Sequence, residues 1–384
     1  MIDKNYVKER FEKIFGTTNC SLYAAPGRVN LIGEHTDYNS GYVLPASIDK
    51  GITVAISPYG TSKVDVYSLD YDQRVSFDIN GEKPKEQWAC YIYGVVQEMK
   101  KRGAKLEGFC CVFGGDVPLG AGLSSSAALE SAFGYAINDI FELGFSLNDL
   151  AKIGQMTEHN YVGVRCGIMD QFASLMGKEG KVIRLDCRSL DYELIPFNPK
   201  GCKVVLIDTM VKHTLASSEY NVRRTQCETG VAIVSQHEKG IESLRDISLD
   251  MLNKYKNEMD GIVYKRCAYV INENQRLMDG CDALEKDDLK IFGQKMYGSH
   301  EGLSNEYGVS CKELDFIVEI AKKNDGVIGA RMMGGGFGGC VINLVKNEAY
   351  AGYIAEVKTK YVEKFNIEPR VIDVVMGDGA RKLS

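Results

Sequence analysis

The stretch that most restricts this chain is VPLGAGLSSSAALE, residues 117–130, which lies between a short apolar run at 109–113 and a long helical pattern. Gly120 and Gly122 let the backbone turn and approach a ligand, and the serines after them open a helix whose first N–H groups have no partner inside the helix. Free donors at the positive end of a helix dipole favour an anion, so Gly120, Ala121, Gly122, Leu123, Ser124, Ser125 and Ser126 form a candidate phosphate cradle. No Lys follows the second glycine, as a Walker A loop requires, and Ser125 stands where a dinucleotide fingerprint needs a third glycine. A glycine loop ending in a serine helix cap is the competing reading.

At 384 residues the chain exceeds what one core organises, and FNPKG interrupts the pattern near residue 200, so two domains are expected, 1–200 and 201–384. The net charge is −6 and no basic run stands out, which makes nucleic acid and anionic membrane unexpected partners. The first fifteen residues place Val7, Phe11, Ile14 and Phe15 on one helical face and read as a docking helix, not a signal peptide. Twelve cysteines without a CxxC pair, beside five histidines, argue against a zinc site and fit reduced thiols in a cytoplasmic protein.

A second polar cluster, Glu34, His35, Thr36, Asp37 and Asn39, lies between strand-like runs at 29–32, 42–44 and 52–56. It is either a polar turn or a sugar-hydroxyl site, where each carboxylate accepts from two neighbouring hydroxyls. Arg28 lies just upstream. Residues 63–79 alternate as an antiparallel pair and 87–102 read as a helix carrying the sole tryptophan, Trp88. Further on, Ser146 with Asp149 caps a helix whose stripe of Leu147, Leu150, Ala151 and Gly154 turns Glu158 inward. An inward carboxylate needs a metal ion or a buried cation.

Asp170 follows Gly167 at the start of a short helix, where it either complements the dipole or serves as a catalytic carboxylate. Strands are expected at 182–185, 204–208, 340–345 and 370–376, and a polar segment at 213–228 opens a helix carrying Tyr220. Ser248 with Met251, and Ser310 with Glu313 as a capping box, mark later helix starts. Gly334, Gly336 and Gly339 formally match GxGxxG but lead into a strand, which suggests backbone passing close to a ligand or to the other domain.

Four of these segments together resemble the GHMP small-molecule kinase superfamily and, within it, the galactokinases: PGRVNLIGEHTDYNSGYVLP (26–45), PLGAGLSSSAALE (118–130), CGIMDQ (166–171) and GGGFGG (334–339). The resemblance implies an α/β (α+β) two-domain GHMP kinase fold, with an N-terminal S5-like mixed-sheet domain, a C-terminal ferredoxin-like domain and the active site between them. It implies transfer of phosphate from ATP to O1 of galactose, with Mg²⁺ as metal and no obligate protein partner. Asp170 would take or orient the O1 proton and Arg28 would stabilise the transferring group. Ser126 and Glu158 would hold Mg²⁺. Glu34, His35, Thr36, Asp37, Gly167 and Tyr220 would contact the sugar, and Ser68 and Trp88 would lie near the nucleotide.

Met333 and Ala128 stand where the family commonly has Thr and Ser, which predicts altered packing or a lost hydrogen bond. Two alternatives follow from the same resemblance. An N-acetylgalactosamine kinase is disfavoured by Cys166 and Ile168, which fill the space an acetamido group needs. A non-catalytic sugar sensor is disfavoured by the intact SSSAA run.

Overall fold

A computed structural model of the chain describes every residue except Leu119, Asn198 and 213–215, together with the side chains of Lys212 and 216–218. Leu119 of the glycine loop, Asn198 in the FNPKG break and the lead-in to the Tyr220 helix therefore lie outside the described residues. Helix α1 (Lys4–Phe15) starts on the carboxylate of Asp3, ends at a left-handed Gly16 and buries Val7 and Phe11.

In chain order there follow β1 (Ser21–Asn30), β2 (Tyr42–Val43), β3 (Pro45–Pro58), β4 (Lys63–Ser68), β5 (Gln73–Asp78), α2 (Gln87–Lys101) and β6 (Phe109–Gly115). Next come α3 (Ser125–Ile140), α4 (Leu147–Thr157), α5 (Met169–Met176), β7 (Lys181–Asp186), β8 (Tyr192–Pro196), β9 (Cys202–Lys212) and α6 (Ala216–Ser235). The remainder is α7 (Leu249–Lys254), α8 (Gly261–Glu285), α9 (Leu289–Glu301), α10 (Lys312–Lys322), β10 (Val327–Met332), β11 (Gly338–Lys346), α11 (Tyr350–Phe365), β12 (Arg370–Val374) and β13 (Arg381–Lys382).

The first sheet runs β13-β1-β3-β6-β4-β5. The β4–β6 pairing is parallel and the others are antiparallel. On one face, Val7 and Phe11 of α1 pack with Leu22, Ala55, Cys110 and Val112. The core on the other face combines β1, β3 and β6 with residues of α2, α3, α4 and α5. Strand β3 is far longer than expected from 52–56: Asp49 and Lys50 break the apolar pattern, and the pairing to β1, interrupted there, resumes at Ser47 opposite Arg28. The second sheet, β10-β11-β9-β12, is antiparallel throughout. Its chain order of strand, helices, two strands, helix, strand is the split βαβ arrangement of ferredoxin-like folds. A small sheet, β2-β7-β8, sits beside them.

The end of the chain leaves the second half: Met376 bridges to Ile48 and β13 pairs with β1. The capping box at Ser146 and Asp149 is present, and Ser248 caps Met251. The box expected at Ser310 and Glu313 is not. Cys311 is the N-cap of α10 without a side-chain bond, and the Ser310 hydroxyl donates instead to Asp315 at 2.5 Å. The twelve cysteines are unpaired, and all are buried or half-buried. No helix among the described residues is long and apolar enough to cross a membrane.

Helix α9 meets β10 so closely that a Cβ on Gly293 would lie 2.0 Å from the carbonyl oxygen of Ile328, whereas one on Gly352 of α11 would meet nothing within 4 Å. Gly293→Ala is therefore expected to destabilise the fold by about 1–3 kcal/mol. Gly352→Ala should stabilise it by about 0.5–1 kcal/mol, since alanine loses less entropy on entering a helix. Urea midpoints of the two variants check both signs.

Candidate active site

The pairing of β1 with β3 has a bulge between Pro26 and Arg28, with Gly27 opposite three residues of β3, Ile48, Asp49 and Lys50. The bulge sets Arg28 beside the glycine loop: its backbone N–H donates to the Leu123 carbonyl at 3.1 Å. Gly27 is required by the same approach, because a Cβ there would lie 2.6 Å from the Leu123 oxygen. The Arg28 guanidinium is buried and grips Asp170 with two bonds, Nε to Oδ1 and Nη2 to Oδ2, both 2.7 Å, while Nη1 donates to the Gly122 carbonyl at 2.5 Å. Burial acts to lower the Arg28 pKa, but the charge and hydrogen bonds of Asp170 together with the charges of Glu34 and Asp37 outweigh it, and the net shift is upward.

Ser124 adopts a left-handed backbone conformation and makes no helix-capping bond. Its hydroxyl donates to Asp170 Oδ2 instead. The serine-cap reading of this loop is thus replaced: the first turn of α3 has no side-chain cap, which leaves the arrangement an anion needs. Gly120 and Gly122 both have positive φ, 76° and 73°.

The pair opens onto a cavity of about 320 Å³ whose walls include Arg28, Asp170, Glu34, His35, Asp37, Gly167, Tyr220, Ser126 and Glu158. Asp37 faces Gly167 so closely that a Cβ there would lie 1.9 Å from Asp37 Oδ2. Burial, and then the charge of Asp170, push the Asp37 carboxyl up to about 7. Burial pushes the His35 imidazole down to about 3, with Arg223 and Arg331 adding to the effect, so it is neutral at pH 7. Its Nδ1 shares a 2.7 Å hydrogen bond with the Tyr38 hydroxyl, and its ring lies 5.3 Å from that of Tyr220.

Glu158, 7% exposed, has no Lys or Arg partner among the described residues and lines the same cavity as Ser126. Burial pushes its carboxyl up to about 7, with the Ser126 hydroxyl acting against that and the charge of Asp170 adding to it.

Of the glycine loop only Ser126 lines the cavity, so Gly120 to Ser125 lie off its walls, and so do three further sequence candidates. Thr36 is fully buried, and its hydroxyl donates to the carbonyls of Gly33 and Tyr42 inside its own loop. Ser68 on β4 is buried and accepts the Tyr71 N–H at 3.4 Å. Trp88 at the start of α2 donates to Gln73 at 3.0 Å, with its ring stacked on Tyr71 at 6.2 Å.

Sequence reasoning did not single out Arg331, which is fully buried at the end of β10. It donates to the Leu31 carbonyl at 2.8 Å, to that of Asn30, and to Glu34 Oε1 at 3.0 Å. The same Glu34 oxygen accepts the Gly334 N–H at 2.8 Å. An inward cation in a run of apolar residues and glycines was the available signal. Met333 is also buried, and its sulfur accepts the Asn30 N–H at 3.4 Å, so the substituted position packs onto β1.

The chain matches the "Galactokinase galactose-binding signature" over residues 9–58, the "GHMP kinases N terminal domain" over 90–178 and "GHMP kinases C terminal" over 282–361. It is 42% identical to a galactokinase of Thermosipho africanus over 359 residues, covering 94% of this chain and 99% of the relative. The chain belongs to the galactokinase family. A Clostridium acetobutylicum galactokinase is 39% identical over 386 residues, with 99% of each chain covered. The crystal structure of Lactococcus lactis galactokinase complexed with galactose superposes with a TM-score of 0.93 at 35% identity, covering 98% of both chains. Methanococcus jannaschii mevalonate kinase shares the fold, with a TM-score of 0.64 at 19% identity over 94% of this chain and 99% of that one.

Two stability measurements probe this family member's cavity. An acid whose folded pKa lies above its unfolded value stabilises the fold below the unfolded value and loses that contribution as pH rises through the folded one. Asp37→Asn should therefore match the parent near pH 4 and exceed it increasingly up to pH 8, read as the difference in melting temperature without ligands. Arg331→Met should destabilise the protein by about 3–5 kcal/mol, because it leaves Glu34 as an uncompensated buried charge; chemical denaturation measures it.

Proposed function

We propose that the chain transfers the γ-phosphoryl group of ATP to O1 of α-D-galactose, releasing ADP and galactose 1-phosphate. The observation that carries this reading is the position of the Arg28–Asp170 pair between two unlike walls. On one side stand the hydrogen-bonding groups of Asp37, Glu34, His35 and Tyr220. On the other stand the uncapped α3 N-terminus, Ser126 and Glu158.

Asp170 is the proton acceptor. Its Oδ2 takes bonds from Arg28 and Ser124, whereas Oδ1 takes one, from Arg28 Nε. A carboxylate oxygen accepts two bonds, so Oδ1 keeps a free position for the O1–H of the sugar. Arg28 holds that carboxylate in one orientation and supplies positive charge where charge develops as the phosphoryl group passes. Asp37 and Glu34 accept from sugar hydroxyls, and neutral His35 and Tyr220 complete the wall. The loop from Gly120 to Ser126 faces the ATP phosphates, and Ser68 and Trp88 lie toward the nucleoside.

The residues fit a hard divalent cation. A buried carboxylate without a basic partner among the described residues, on the same cavity wall as a serine hydroxyl, offers two of the oxygen ligands a hard cation such as Mg²⁺ takes. Bound there by Ser126 and Glu158, Mg²⁺ would offset phosphate charge.

A coupled assay of ADP release over a sugar panel tests the reading. Galactose is expected to lead the panel; faster turnover of N-acetylgalactosamine, or sugar binding without turnover, would replace it with one of the alternatives. Asp170→Asn should lower kcat by about 10²–10⁴ with galactose binding retained. Glu158→Gln should raise the Mg²⁺ concentration needed for half-maximal rate and spare the affinity for galactose; the opposite pattern would move Glu158 to the sugar wall.

A further inference from the structure

Glu130 is a buried acid that the transfer chemistry above does not use. It is 1% exposed and lies one helical turn after Ser126 on α3, so the two project from the same face. Its Oε2 accepts Gln171 Nε2–H at 2.9 Å, and Gln171 directly follows Asp170 on α5. The third side is Gly154 of α4, one turn before Glu158. A Cβ there would lie 2.7 Å from Gln171 Cγ and 3.3 Å from Glu130 Oε2. Each of Ser126, Glu158 and Asp170 is thus either adjacent to a residue of this contact or one turn from it.

Two buried atoms in the contact have no partner among the described residues, Glu130 Oε1 and Gln171 Oε1. As two acceptors they cannot satisfy each other, and unmet buried acceptors are costly. Each shares a carbon with an atom already bonded across the contact. One proton on Glu130 therefore turns its Oε1 into a donor for Gln171 and closes a cyclic acid–amide pair. Burial, and then the charge of Glu158, push the Glu130 carboxyl well above the ordinary range, in agreement with that state.

We propose that Glu130 and Gln171 are a positioning pair for phosphoryl transfer, which locks α3, α4 and α5 together and holds Asp170 in register with Ser126 and Glu158. The inference rests on the phosphotransfer reading above. Neither residue touches substrate; they act through the groups that do.

Three variants of the full chain test it, with kcat, KM for galactose and a thermal melt recorded for each. Glu130→Gln keeps a donor where the acid O–H stands and should hold kcat within about threefold of the parent. Glu130→Ala and Gln171→Leu open the contact from either side and should lower kcat by about 100-fold while KM for galactose stays within about threefold. If Glu130→Ala does not fold, the other two decide. Parental kcat in Gln171→Leu, or a Glu130→Gln protein as slow as the opened variants, overturns the pair alone. A parent without galactose-dependent ADP release overturns the phosphotransfer reading and this inference with it.

Discussion

The bidentate contact between Arg28 and Asp170 is the interaction on which the rest of the site depends. It joins a bulged strand to the first turn of α5, and the guanidinium's remaining nitrogen ties both to the glycine loop through Gly122. A planar fork with donors in fixed directions can meet a carboxylate and a carbonyl at once, which a lysine ammonium on a flexible stem cannot do with the same geometry. The buried guanidinium is tolerable because it is paired and bonded, while Asp170 stays 29% exposed and takes a further bond from Ser124. The serine that would ordinarily cap α3 is drawn to Asp170, so the proposed proton acceptor and the glycine loop are set by one network.

Around that pair the cavity holds more acid than base. Asp37 and Glu158 are each pushed up to about 7 by burial first. Structural carboxylates of this chain behave differently. Asp65 is also shielded by burial, yet Arg74 and Ser76 bring it below its usual value. Carboxylates held above their usual range without a basic partner mark a place where charge is to be offset by something that arrives, whether hydroxyl donors on the Asp37 side or a cation on the Glu158 side.

Much of this was legible in the sequence because helix periodicity and glycine placement are local signals. The stripe from Leu147 to Gly154 put Glu158 inward by counting turns, and Glu158 is buried. Gly334, Gly335 and Gly336 lie in the turn between β10 and β11, Gly338 and Gly339 open β11, and Gly334 reaches Glu34 through its backbone. Arg331 was not legible, because its worth lies in carbonyls about 300 positions earlier in the chain, which no periodicity records. Thr36 sits in a signature full of ligand-facing groups, yet its hydroxyl closes its own loop. The Glu130–Gln171 contact escaped for a related reason: Glu130 reads as one more residue of the α3 pattern, and its meaning appears only when α4 and α5 are packed on it.

The glycine-rich hairpin explains why the two halves of the chain make one site. Arg331 and Gly334 together take up one oxygen of Glu34, and Arg331 also grips the two carbonyls at which β1 ends. The loop proposed to face the sugar is therefore held from the β10–β11 hairpin, while Arg28, six residues before Glu34, and Asp170 are held within the first half. A displacement of the hairpin would leave the Arg28–Asp170 pair intact and unfasten Glu34. Under the proposed function, positioning and proton transfer thus rest on separate anchors, and the backbone between Arg28 and Glu34 is what keeps them in a fixed relation.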